Sequence, residues 1–183
     1  MVHAILVPLL VVSASYLGAF LFTEHLVMPV QRLILPDVSA WASLVFLPHG
    51  VRVLTAWLFG WWSILLLAPS GLFSVFLLYG FSDISIWQVL SFVPGVLAAA
   101  TAFALAAGVG RDLRFGTGKP AQWREVLAVG VLASLFNSAG TMLVRGEKPM
   151  VTLVCLMGDI IGLVACLALL MQAFRWARLW KGA

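Results

Sequence analysis

The chain has 183 residues, of which 63% are hydrophobic and 10% charged, and its mean hydropathy is +1.09. That leaves too little polar surface to cover a soluble globule of this size, so the composition excludes an ordinary soluble domain and predicts an all-α, polytopic integral membrane helix bundle. A net charge of +4 does not point to nucleic acid, because the basic residues gather at the ends of apolar runs and in one loop, as membrane topology requires.

In chain order, residues 2–22 form the first expected span. The run is too long for a signal h-region and lacks a basic n-region or a cleavage site, so it belongs to the mature protein. Residues 23–50 contain three prolines, two histidines and both signs of charge, with apolar clusters too short to cross a bilayer. They read as one irregular external segment, interfacial or re-entrant, with a half-helix over residues 39–47. Pro48, His49 and Gly50 break it and start a second span over 51–68, where Trp57, Trp61 and Trp62 add bulk. Pro-Ser-Gly at 69–71 reads as a tight turn, which leaves 72–80 as a marginal third span. A fourth span over 86–109 is expected to kink at Pro94-Gly95 and then to pack closely through its alanine-rich half. Residues 110–125 form the most polar loop. A fifth span over 126–144 carries Asn137 and Ser138, and a sixth over 149–174 closes the bundle.

Six spans put both chain ends on one side. The loop supplies Arg111, Arg114, Lys119 and Arg124 to that side and the tail supplies Arg175, Arg178 and Lys181, against Arg32, Arg52, Arg145 and Lys148 opposite. The positive-inside rule then predicts cytoplasmic N- and C-termini. Cys155 and Cys166 lie on one helix roughly 16 Å apart by helical rise, too far for a disulfide.

The last span holds a single acid, Asp159. An ionised carboxylate in hydrocarbon costs at least a few kcal/mol, so it must face protein or water and have a partner. Gly158 and Gly162 flank it in the small-xxx-small spacing that admits a second helix. Arg52 stands in the first turn of the second span, where the helix dipole disfavours a cation, and an Arg52–Asp159 pair is the expected match. Such a pair serves equally well as a ligand site or as a buried ion pair fixing helix register. Asn137 either joins the cluster or bonds a neighbouring helix. The polar set is therefore Pro48, His49, Gly50, Arg52, Asn137, Gly158, Asp159 and Gly162. Glu24 and His25, with His49, lack any specific ligand spacing, so neither metal nor cofactor is expected. No nucleophile elbow, phosphate loop or HExxH motif is present, and no catalysis is expected.

Residues 46–62, FLPHGVRVLTAWLFGWW, resemble the (W/F)-x-P-x-G segment and following apolar helix of MASE-type membrane-associated sensor domains, which precede diguanylate cyclases and histidine kinases. Residues 123–144 and 156–170, the latter with G-D-x-x-G at Gly158-Asp159 to Gly162, are similar to that family's closing pair of helices. The chain departs from the pattern at His49, where a small residue or second proline is usual, and it is shorter. The resemblance implies a sensing bundle in a bacterial inner membrane with a cytoplasmic C-terminus that passes its signal to another chain.

Three functions follow as expectations. The first is a non-enzymatic sensor or regulatory module, with a small ligand or partner protein at the polar set. The second is an accessory subunit of a larger membrane complex, respiratory or photosynthetic, docked on other membrane proteins as well as the lipid bilayer. The third is a small transporter or substrate-capture subunit, suggested by the broken helix and the midplane acid but weakened by the lack of an inverted repeat.

Overall fold

The computed structural model describes residues 2–34, 43–82, 84–117, 121–146 and 148–181, and among these every regular element is helical. In order they are α1 (Val2–Phe22), a π-helical turn (Thr23–Val27), α2 (Met28–Ile34), α3 (Leu47–Phe59), α4 (Trp62–Tyr79), α5 (Ile86–Leu90), α6 (Phe92–Gly108), α7 (Trp123–Arg145) and α8 (Pro149–Lys181). Five stretches are long and apolar enough to cross a membrane: Ile5–Ile34, Trp62–Tyr79, Ile86–Gly108, Trp123–Arg145 and Pro149–Trp180. The all-α membrane bundle expected from composition is thus observed.

Several boundaries differ from the sequence reading, each for a local reason. The first helix does not stop at Phe22. It runs on to Ile34 through the π-turn, where the Met28 N–H reaches the Thr23 carbonyl. The widened turn lies just ahead of Pro29, whose ring cannot donate and would crowd the preceding turn of a regular α-helix. Of the half-helix expected over residues 39–47, residues 39–42 lie outside the described residues, and 43–46 are not helical.

The expected spans at 51–68 and 72–80 are also redrawn. Gly60, at positive φ, ends α3 with its N–H on the Ala56 carbonyl, and the helix that restarts at Trp62 runs straight through Pro69-Ser70-Gly71. In water that tripeptide would favour a turn. Here the Ser70 hydroxyl donates to the Leu67 carbonyl and Ser74 to that of Gly71, bonds of the kind by which membrane helices tolerate proline. The break between α5 and α6 falls at Ser91, one turn before Pro94, which lacks the N–H that would bond back across it.

At 13 residues, or roughly 20 Å, α3 is too short to cross a bilayer, and it begins inside the bundle. The Phe46 N–H donates to the Gly158 carbonyl at 2.9 Å, about 15 Å into α8 by helical rise. The thiol of Cys166 donates to the Leu47 carbonyl at 3.4 Å. From there α3 runs to the polar loop. The Trp57 carbonyl accepts from the Phe115 N–H and its indole N–H donates to the Leu113 carbonyl, both at 2.9 Å, with the two rings edge to face. The same loop is held by Arg111 with Glu125 and by a two-point contact of Arg114 with Asp112, which keeps the Asp112 carboxyl below the usual carboxylate range.

What admits the non-helical chain to the centre of α8 is the absence of two side chains. A Cβ on Gly158 would overlap the Ser43 carbonyl oxygen and one on Gly162 the Phe46 carbonyl oxygen. The glycine pair therefore permits close backbone approach, as its spacing predicts, but the partner is broken chain instead of a helix. Around α3, the buried residues Val53, Ala56, Ala99, Ala102, Phe103, Ala133 and Leu163 form one apolar cluster on the loop side. A second cluster joins Val12 and Tyr16 of α1 to Leu66, Leu67 and Val96.

Because the obstruction at Gly162 is backbone, which cannot swing aside, Gly162→Ala should lower unfolding stability by about 3 kcal/mol, the upper end for overpacking. Gly18, which has open space where a methyl group would stand, should accept alanine within about 0.5 kcal/mol. Denaturant unfolding of both variants in one detergent checks the contrast; equal effects would mean that the 43–47 segment does not seat on α8.

Candidate functional site

The interior start of α3 places three polar side chains in the bundle centre. His49 is 1% exposed, Asp159 2% and Arg52 7%. His49 Nδ1 lies 3.4 Å from Asp159 Oδ2, without the alignment of a hydrogen bond. Its Nε2 is 3.2 Å from the Gly130 carbonyl oxygen of α7. Asn137 Nδ2 donates to Asp159 Oδ2 at 2.7 Å.

The expected Arg52–Asp159 ion pair is not formed. The carboxylate belongs to His49 and Asn137, while Arg52, one turn further along α3, points towards α1 and α6. Its Nη2 donates to Tyr16 Oη at 2.6 Å, its guanidinium stacks 5.3 Å from the Tyr16 ring and 5.5 Å from that of Phe46, and it rests on the bare backbone of Gly95, where a Cβ would stand 2.6 Å from Cζ. Among the described residues no acid comes within ion-pair distance of Arg52, and its Nε is buried without a hydrogen-bond partner.

A carbonyl oxygen only accepts, so Nε2 of His49 carries hydrogen towards Gly130. The Asp159 carboxyl is turned to Asn137 and His49, which leaves Arg52 as a buried cation with no ion-pair partner among the described residues.

Arg52, Asn137 and Asp159 line a cavity of about 160 Å³ that draws residues from α1, α3, α4, α6, α7 and α8. Tyr16, Ser43, Ser74, Ser91 and Ser138 add hydroxyls; Phe20, Val75, Leu78, Phe92, Met142 and Val151 add apolar wall; Glu24, Tyr79, Arg145 and Thr152 stand at the helix ends remote from the polar loop. Ser138 Oγ is buried without a hydrogen-bond partner among the described residues. Towards the loop the cavity is floored by the apolar cluster around α3.

Of the residues singled out from sequence, Arg52, Asn137 and Asp159 share this cavity. His49 sits behind Asp159, Pro48 opens α3, and Gly50 packs against Cys166. Gly158 and Gly162 seat the broken segment and do not line the cavity. Glu24 lines the wall, but the described residues hold no group of three side chains suited to a metal. Sequence reading passed over Tyr16 and Tyr79. A signal was present: these are the only two tyrosines in the chain, and both line the cavity.

The contacts of Asp159 predict an asymmetry between substitutions. His49 Nδ1 and Asn137 Nδ2 both address Oδ2, so in Asp159→Asn an NH2 group at that position can donate one hydrogen to Nδ1 and, once the Asn137 amide turns over, the other to its oxygen, and the change should cost less than about 1 kcal/mol. Asp159→Ala strands both partners and should cost about 2–4 kcal/mol. Unfolding measurements that found the two equally damaging would show that a full negative charge is needed there. Compared with family models, with curated proteins and with solved structures, the chain has no match, so its likeness to membrane sensor domains rests on the motifs at 46–62, 123–144 and 156–170 alone.

Proposed function

We propose that this protein is a non-enzymatic sensor or regulatory module of a bacterial inner membrane, binding a small ligand in the cavity between its helices. The observation that carries the reading is the combination of a preformed cavity, an arginine buried at its wall that forms no ion pair among the described residues, and a serine hydroxyl that has no hydrogen-bond partner among them. A group that only fixed helix register would be expected to end satisfied by its own chain. The positive-inside rule places the 110–125 loop and both chain ends in the cytoplasm, so the cavity faces the other side. The packed apolar cluster of Val53, Phe103 and Leu163 favours a site that is occupied and vacated from one face over one that passes a solute across, which argues against transport. Occupancy would reach the cytoplasm through α8, whose centre carries both Asp159 and the seat of the broken segment.

One observation favours a second reading, an accessory subunit of a larger membrane assembly. The last turns of α8, from Met171 to Trp180, are exposed on every side and carry Phe174, Trp176, Leu179 and Trp180, enough apolar surface to dock on another helix.

Native mass spectrometry of the protein drawn from its own membranes separates the two. The sensor reading expects a small bound molecule that is lost when Ser138→Phe fills the cavity while the helical circular dichroism stays unchanged. Recovery only within a stoichiometric complex, with no small molecule and no effect of Ser138→Phe, would support the accessory role and set the sensor reading aside.

A further inference from the structure

We infer that the cavity is selective for a small organic monoanion with an apolar body, its anionic group held by Arg52 and Ser138. This deepens the reading of the cavity as a ligand site and rests on it.

The charge is argued from the contacts. The Asp159 carboxyl is turned to Asn137 and His49, among the described residues no acid lies within ion-pair distance of Arg52, and a cation so placed in buried surroundings is costly. Tyr16 meets it with a neutral hydroxyl, which eases desolvation without cancelling charge. An anion entering the cavity would form charge-assisted bonds to the guanidinium N–H groups that do not meet Tyr16. Ser138 lines the same cavity from α7, and its hydroxyl, buried and without a partner among the described residues, would turn towards the anion as a second donor.

Size and wall set the rest. A volume of about 160 Å³ is close to the roughly 150 Å³ of an apolar cavity that takes one benzene ring, so the ligand has on the order of six to ten heavy atoms. Phe20, Val75, Leu78, Phe92 and Met142 leave most of that body in apolar contact. A simple inorganic anion would fill the space poorly, and a long acyl chain would not fit within it. An aromatic or short branched carboxylate matches both limits.

Isothermal calorimetry on the full chain in nanodiscs of uncharged lipid, with empty nanodiscs as blank, tests this with benzoate, benzamide, benzylammonium and inorganic phosphate. Benzoate should bind at least about tenfold more tightly than benzamide, the difference expected of a charged over a neutral hydrogen bond, with benzylammonium and phosphate weaker still. In Arg52→Gln, benzoate should fall to the level of benzamide while benzamide is unchanged; if that variant does not fold, the charge series on the native chain decides alone. Equal affinity for benzoate and benzamide would overturn the anion selectivity and leave the cavity reading standing. Phosphate binding as tightly as benzoate would overturn the apolar body. Failure of every aromatic probe would remove the cavity reading and this inference together. Nanodiscs with phosphatidylglycerol separate two sources of the same chemistry: competition with benzoate would name a lipid headgroup as the anion, and no competition a free solute.

Discussion

The contact on which the structure depends is the seating of a non-helical chain segment on the middle of α8. Backbone polar groups inside a bilayer must be satisfied by protein, and the 43–47 segment meets that demand through the Phe46 N–H on the Gly158 carbonyl and the Leu47 carbonyl under the Cys166 thiol. Two glycines make the approach physically available. Because α3 starts there, its first turns deliver His49 and Arg52 to the bundle centre, and its far end reaches the polar loop, where Trp57 and Phe115 close it. Remove the seat, and the buried polar residues have nothing to place them.

From that seat the division of labour on α3 follows. His49 and Arg52 are three residues apart, close enough on a helix to share a face, yet they serve different partners: one lies between Asp159 and the Gly130 carbonyl, the other stacks between Tyr16 and Phe46. The first, with Asn137, gives the acid at that depth polar neighbours; the second stands at the wall of the cavity.

Much of this was legible in the sequence. A lone acid between two glycines four apart announces a packed, polar face in an apolar helix, and an asparagine one helix earlier is a natural neighbour. Pro48-His49-Gly50 marks a helix start within an apolar context. The identity of the acid's partner was not legible, because choosing His49 over Arg52 depends on how deep α3 begins and how it is rotated, a matter of about one turn. Pro69-Ser70-Gly71 misled for a different reason: its turn preference belongs to water, where the backbone has an alternative donor, and in hydrocarbon the serine hydroxyls favour continuing the helix. The π-turn at Thr23–Val27 also leaves no sequence signature beyond a following proline.

The length of α8 has a mechanical consequence. It spans 33 residues, and as far as Leu167 it is held, by the broken segment at Gly158 and Cys166 and by the core at Leu163 and Leu167. From Met171 to Trp180 every residue is exposed, an overhang of roughly 15 Å by helical rise. A rod clamped over its first half and bare at its end can lean only where the clamp stops: a tilt of about 5° there moves the tip by about 1 Å, so the exposed end follows the packing of the clamped part closely instead of swinging free of it.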